Sequence, residues 1–267
     1  MSILPQRERL AAMSQRFHDL HAAGTFVIPN AWDAGSARLL ETAGFPAVAT
    51  TSSGLAAALG KLDQQVTRDE LVTQVAAMAR AITVPLSVDS ERLFDDPAET
   101  VELLAEAGAA GVSIEDYDPA TGSVEPLAAA VERVGVAAEA ARRHGLVLTA
   151  RAEGLLYGQG DRDDVITRLV AYRDAGAGVL FAPGLQDDIA GFVTAVRAPV
   201  NVLLLPGVPS VPELARAGVR RVSVGGSLAW AAYGALRDAA RELLDTGTAG
   251  YRARGLTPAE VTAAFGG

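Results

Sequence analysis

The chain has 267 residues, 49% of them hydrophobic, with a formal charge of −9 and a pI near 4.9. That balance argues against nucleic acid or an anionic membrane surface as partner, because both need a basic face. The absence of cysteine excludes disulfides, zinc–thiolate sites and Cys nucleophiles.

The opening MSILPQRERLAAM is too polar for a signal peptide, and no apolar run reaches the ~18 residues of a membrane span, so a cytoplasmic protein is expected. Residues 1–23 read as an N-terminal helix with Leu10, Met13, Phe17 and Leu20 on one face. Short apolar runs follow near 25–29, 46–50, 84–88, 110–114, 146–150, 178–182, 200–204 and 221–224. Helical patterns follow each in turn, near 33–43, 67–82, 97–107, 126–143, 162–175, 187–196, 210–217 and 227–245. One phrase recurs: a helix, then Ala-Gly, then a strand, as in LLETAGFPAVAT, LLAEAGAAGVSIED, YRDAGAGVLFAPG and LARAGVRRVSVGG. The glycine suits a helix C-terminus, and the uniformly apolar run suits a strand buried on both faces of a parallel sheet. Eight such units over residues 24–245 predict a single-domain (β/α)8 TIM barrel rather than a doubly wound sheet, since no GxGxxG follows the first strand. Residues 246–267 form a C-terminal extension, a loop and a short helix from Thr257-Pro258. His18, His21 and His144 fall on helices without metal-type spacing and read as helix-surface residues.

The active site of such a barrel lies where the strands end. Those ends carry Asn30, Trp32 and Asp33; Thr51-Ser52-Ser53-Gly54 and then Asp63; Asp89 and Glu91; Glu115 and Asp116; Arg151 and Glu153; Asn201; and Gly225-Gly226. On a strand, the spacing of Asp89 and Glu91 points both carboxylates the same way, which asks for a cation between them. Asp63, Asp89, Glu91 and Glu115 form an all-oxygen donor set suited to Mg2+ or Mn2+, mostly through water. Arg151 is placed to clamp a carboxylate, and TSSG to present small polar groups to a second anion. Plainer readings make Asp33 and Asp116 helix N-caps, Glu153 an ion-pair partner of Arg151, and Asn201 a partner for backbone groups.

The segments IPNAWDAGSARLLETAGFPAVATTSSGLAAALG, VPLSVDSE, DDPAETVELLAEAGAAGVSIED, LTARAE and VLLLPGVPSVPELARAGVRRVSVGGSLAWAAYGALRDAARELL, in that order, resemble the isocitrate lyase/phosphoenolpyruvate mutase superfamily. The resemblance implies a barrel whose eighth helix is swapped between subunits of a homo-oligomer, usually a homotetramer, with Mg2+ in the mouth. Carried over by position, Asp89 resembles the direct metal ligand, and Asp63, Glu91 and Glu115 the acids that hold its waters. Arg151 resembles the substrate-carboxylate arginine, with Asp63 and Glu115 beside it as catalytic candidates. Ser53, Gly54 and Leu55 resemble the anion cradle, and Trp32 and Asp33 the first-strand turn; Asn201 completes the candidate substrate contacts.

The implied chemistry is lyase action on a small 2-oxo or 2-hydroxy di-acid, by C–C cleavage or decarboxylation through an enolate. Two stretches depart from the pattern. The loop 115–127, EDYDPATGSVEPL, has none of the Cys, Lys or His of a KKCGH-type gate, which disfavours a Cys-dependent isocitrate or methylisocitrate lyase. RLFDD (92–96) replaces a GYG-like stretch, and the usual glycine is missing after Asp63. A P–C bond enzyme, mutase or phosphonopyruvate hydrolase, and a barrel that binds oxo acids without turnover are the alternatives.

Overall fold

What turns this alternating sequence into a barrel is the way its helices stop. In the computed structural model, which describes residues 6–266, the four Ala-Gly joins place Gly44, Gly108, Gly176 and Gly218 at φ of +94°, +110°, +111° and +87°. A residue without Cβ enters that region freely, so the chain leaves each helix and turns straight into the next strand.

The strands are β1 (Phe26–Ile28), β2 (Asn30–Ala31), β3 (Val48–Thr50), β4 (Leu86–Val88), β5 (Gly111–Glu115), β6 (Tyr117–Asp118), β7 (Ser123–Val124), β8 (Val147–Arg151), β9 (Val179–Phe181), β10 (Val200–Leu203) and β11 (Arg221–Ser223). Apart from β6 and β7 they form one parallel sheet in the order β1-β11-β10-β9-β8-β5-β4-β3-β2. Pro29, which has no N–H to give, splits the first strand in two. β1 pairs with β11, β2 pairs with β3, and the Pro29 carbonyl still accepts from Ala49 at 2.8 Å, so the sheet closes on itself.

The helices are α1 (Gln6–Ala22), α2 (Ala34–Thr42), α3 (Ser52–Ala58), α4 (Arg68–Ala81), α5 (Pro97–Ala107), α6 (Leu127–His144), α7 (Arg162–Asp174), α8 (Ile189–Val196), α9 (Val211–Arg216), α10 (Ser227–Asp245) and α11 (Pro258–Phe265). Side-chain caps explain where several begin: Asp33, Thr67, Asp96, Asp161, Asp188 and Thr257 each accept a first-turn amide. Three elements go beyond the sequence expectation: α3, the hairpin β6–β7 within the 115–127 loop, and a 3-10 turn at Gly250–Arg254. Residues 1–5 of the predicted N-terminal helix lie outside the described residues.

α1 closes the N-terminal end of the barrel. Phe17 is fully buried with Phe26, Ile28 and Val179, and a Cβ on Gly111 would lie 2.6 Å from its ring, so Gly111 makes room for it. His21 beside it corrects the helix-surface reading. It is buried, its Nδ1 lies 2.8 Å from the Phe17 carbonyl, and its Nε2 has no partner. Burial, and then the positive charge of Arg221, push its pKa down to about 3. At the other end of the chain, α11 packs on α2 through Ala264, whose carbonyl accepts from Arg38 Nε at 2.8 Å. Along α10 only Ala229 is buried, while Leu228, Trp230, Leu236, Leu243 and Leu244 are exposed. No helix among the described residues is long and apolar enough to cross a membrane.

Candidate active site

A cavity of about 220 Å3 opens among the C-terminal ends of the strands, with Asp63, Asp89, Arg151, Asn201, Arg221 and Ser53 among its walls. Arg151, the last residue of β8, is its electrostatic hub. Its Nη1 donates to Asp89 Oδ1 (2.9 Å), its Nη2 pairs with Glu115 Oε2 (3.0 Å), and its Nε donates to Glu153 Oε1 (2.7 Å). The guanidinium also lies over the Phe181 ring, 5.4 Å from the centroid. All three edges of the fork are therefore taken by acids. Glu153 is an ion-pair partner of Arg151, as its plainer reading has it.

The acids are placed by the turns that follow the strands. β4 ends at Val88, so Asp89 and Glu91 sit in a turn closed by Leu93 N–H donating to the Ser90 carbonyl (2.8 Å). Glu91 takes a left-handed φ of +49°. Both acids thus leave a turn rather than a strand: Asp89 lines the main cavity, and Asp89 and Glu91 together line a small side pocket with Ser52, Leu55 and Phe94. They still repel. Burial and then Asp89 raise Glu91 to about 7. Asp63, on the exposed rim, is raised by the surrounding protein and by Asp89, with the Ser52 hydroxyl opposing. Glu115 is buried and pushed up to about 8, against the pull of Arg151, while Gln64 Nε2 donates to its Oε1 at 3.2 Å.

The remaining expected residues divide. Ser53 lines the cavity, and the Ser52 amide donates to Asp89 Oδ2 (3.0 Å). The cradle candidates Gly54 and Leu55 lie in the first turn of α3. Thr51 caps α3, so their amides bond to the Thr51 hydroxyl (3.5 Å) and carbonyl (3.0 Å), and the Leu55 side chain is core. Gly54 leaves room for Trp32, whose Cβ would be 3.0 Å from an added methyl. Asp33 is the N-cap of α2, in a capping box with Ser36. Asp116 is not an N-cap. It is buried and accepts from Tyr172 Oη (2.6 Å), the Glu153 amide (2.8 Å) and Arg168 Nη1 (3.3 Å), which anchors the turn after β8. Asn201 bonds side chains rather than backbone: its Nδ2 donates to Ser223 Oγ (2.9 Å) and its Oδ1 accepts from Arg221 Nε (2.9 Å). Arg221 was missed because only the C-terminal ends of strands were read, and it opens β11. Strand alternation was the available signal: in VRRVSV, Arg220 stays at the surface and bonds the Gly24 carbonyl, while Arg221 points into the barrel.

In the hairpin β6–β7, Tyr117 stacks on Tyr157 with ring centroids 3.7 Å apart, and Tyr157 follows Leu156 of the cavity wall. Arg92 pairs with Asp118 (3.0 Å) and Glu125. The RLFDD departure therefore ties the segment after the acid pair to the hairpin.

Whether the acids suit a divalent cation is a matter of charge and donors. Asp63, Asp89, Glu91, Glu115 and Glu153 face one paired cation, Arg151, and Gln64 Oε1 is a buried oxygen without a partner. Among the described residues no three carboxylates or imidazoles converge tightly enough to ligate one ion directly. The donor set fits a hard ion held by one carboxylate and reached by the others through water, the coordination that Mg2+ prefers.

Comparison with known proteins agrees with this architecture. A crystal structure from Burkholderia cenocepacia J2315, described as a lyase/mutase candidate, superposes with a TM-score of 0.92 at 46% identity, covering 97% of this chain and 98% of that one. Oxaloacetate decarboxylase from Bradyrhizobium sp. is 32% identical over 249 residues, 87% of this chain and 84% of the relative. Oxaloacetate acetylhydrolase with bound oxalate gives a TM-score of 0.85 at 25% identity, covering 95% and 94%. The profile described as phosphoenolpyruvate phosphomutase matches residues 17–244, and the chain belongs to that family.

Proposed function

We propose that the protein is a Mg2+-dependent lyase of small 2-oxo or 2-hydroxy di-acids, acting by C–C cleavage or decarboxylation. The observation that carries this is the excess of buried and half-buried carboxylate around Arg151 at the mouth of a small polar cavity. Asp89 is the residue to hold the ion, with Asp63, Glu91 and Glu115 holding its waters; Mn2+ suits the same donors. Bound there, the ion supplies positive charge where an enolate oxygen develops. The protein does the rest. Arg151 locks Asp89, Glu115 and Glu153 in one array, so little reorganises when charge shifts. Glu91, half-buried beside Asp89, adds negative charge that the ion would offset. The 117–127 stretch brings no Cys, Lys or His to the mouth, so an enolate carbon left by CO2 takes its proton from water.

The relatives that decarboxylate or cleave oxaloacetate support this reading. A P–C bond enzyme has less support, since 117–127 offers no Asn or Lys to hold a migrating phosphoryl group. The apolar face left open on α10 supports a homo-oligomer, dimer or tetramer, in which the eighth helix packs on a neighbour. An acidic, cysteine-free chain suits a cytoplasmic location. The test is incubation with Mg2+ and oxaloacetate, methylisocitrate, dimethylmalate or phosphonopyruvate, following pyruvate or glyoxylate by a coupled dehydrogenase. Turnover of a carbon acid supports the proposal. Phosphate release from phosphonopyruvate selects the P–C reading, and silence on the panel with oxalate still binding selects a non-catalytic barrel.

A further inference from the structure

Arg221 is fully enclosed, at 5% exposure, yet no carboxylate pairs with it among the described residues. Of its donors, Nε bonds Asn201 Oδ1 at 2.9 Å, and Nη1 is buried without a partner. A guanidinium held this way is costly unless an anion visits it. It lines the same cavity as Arg151, and strand register relates the two. Arg151 is level with Phe181, Phe181 with Asn201, and Asn201 with Arg221, so the arginines stand in one row, three strands apart. Their charge states differ in kind. Arg151 spends its whole fork on Asp89, Glu115 and Glu153, whereas the uncompensated positive charge of the cavity belongs to Arg221. Burial and the charge of Arg151 lower its pKa to about 9, which leaves it protonated at neutral pH.

We propose that Arg221, with Asn201 and Ser223, forms a second anion subsite that receives the distal carboxylate of a four-carbon di-acid and makes the cavity prefer di-acids over mono-acids. Asn201 fixes the guanidinium through Nε and spends its amide hydrogens on Ser223 Oγ, which leaves the Ser223 hydroxyl hydrogen free to donate to the incoming carboxylate. The inference rests on the oxo- and hydroxy-acid reading above and assigns the end of the substrate remote from the acid array.

The test is calorimetric titration, with Mg2+ present, of malate against 2-hydroxybutyrate, which carries a methyl group where malate has its distal carboxylate. The wild type is expected to bind malate at least ~10-fold more tightly, the range of a charge-assisted hydrogen bond. In Arg221→Met that preference falls to within about threefold, while 2-hydroxybutyrate binds as before; Arg221→Lys, which keeps the charge but not the fork, retains part of it. Because removing an unpaired buried charge relieves the ligand-free fold, Arg221→Met also raises its unfolding temperature, by about 2 °C or more. Unchanged malate preference in both variants overturns the assignment. So does an equal loss for both acids together with a lower unfolding temperature, which would mark Arg221 as a structural prop. If neither acid binds the wild type, the functional reading falls and the subsite with it; if both bind and the preference ignores Arg221, only the subsite falls.

Discussion

Replacing Asp89 by Asn separates a metal site from a structural ion-pair network, because a metal site predicts little change in stability without Mg2+ and loss of the response to it, whereas a network predicts a large loss. Asp89 accepts from Arg151 Nη1 at 2.9 Å and from the Ser52 amide at 3.0 Å, and its side chain is 19% exposed. Asn keeps the shape and one acceptor oxygen, so the direct loss is the charge assistance of two hydrogen bonds, about 1–2 kcal/mol in all. Against this, the repulsion that raises both Asp63 and Glu91 disappears. Arg151 keeps Glu115 and Glu153. The net change is expected within about 1 kcal/mol, or about 4 °C in unfolding temperature. The response to Mg2+ is different in scale. An ion at 100 times its dissociation constant stabilises by about 2.7 kcal/mol, roughly 5–10 °C for a chain of this size. Asp89→Asn should abolish that rise and lower Mg2+-dependent turnover by at least ~10^3, equivalent to about 4 kcal/mol in the barrier. Thermal unfolding with and without Mg2+, alongside the coupled assay, reads all three quantities. A variant that keeps the Mg2+-induced rise and full turnover refutes the metal assignment. One that unfolds ~10 °C lower without metal refutes the view that these acids are a frustrated set waiting for a cation.

Tyr172→Phe removes the hydroxyl that donates to buried Asp116 at 2.6 Å, and urea unfolding should show a loss of about 2 kcal/mol; a change under 0.5 kcal/mol would mean that Arg168 and the Glu153 amide suffice. His21, pushed down to about 3 when folded, binds its proton only in the unfolded chain between about pH 3 and 6.5. Its contribution is complete above pH 6.5 and is lost as the pH falls below it. About 2 kcal/mol should go by pH 5, and His21→Leu should lose less stability over that range than the wild type when urea curves at pH 7.5 and 5 are compared. Equal losses in the two proteins would refute burial of a neutral imidazole. Gly111→Ala drives a methyl to 2.6 Å from the Phe17 ring and should cost about 1–3 kcal/mol, whereas the double variant with Phe17→Leu should recover part of it; additive losses would show that the two do not meet.

The barrel was legible because its punctuation is chemical: Ala-Gly joins that demand positive φ, caps that demand Asp or Thr, and apolar runs too short for helices. The acid array was legible as a set of residue types at strand ends, since Asp89, Glu115 and Arg151 need only the register of their strands to meet. Other features needed the exact ends of elements or remote partners. Alternation along a strand puts Glu91 beside Asp89, but β4 ends three residues earlier, at Val88. Ser and Gly are poor helix formers, so TSSG reads as a loop, yet Thr51 caps a helix there whose interior Leu55 and Ala56 bury. Asp116 points to Tyr172, 56 residues away, and no local pattern announces such a partner. Arg221 hid behind Arg220: side by side in sequence the pair reads as surface charge, and only alternation across β11 sends the second inward.

The stretch from Glu91 to Phe94 bears on whether the site is built or merely left over. Glu91, Leu93 and Phe94 hold φ of +49°, +60° and +56°, and none of them is glycine. Each costs about 1–2 kcal/mol, so the turn carries about 3–6 kcal/mol of strain. The surroundings offset it. Leu93 is fully buried, which returns about 1.5–3 kcal/mol. Arg133 Nη2 donates to the carbonyls of Arg92 and Phe94, the latter at 3.0 Å, and Arg92 is held by Asp118 and Glu125 of the hairpin. A departure that had simply decayed would be free to relax into an ordinary loop. This one is clamped from two sides, and what the clamp fixes is the direction of Glu91 and, through the Glu115 amide on the Glu91 carbonyl (2.9 Å), the start of the turn after β5. The strain is thus coupled to two carboxylates of the array, Glu91 and Glu115. Packing here secures the carboxylate array in a form that a glycine-rich turn would leave looser, which favours a working centre over a barrel that has lost its chemistry.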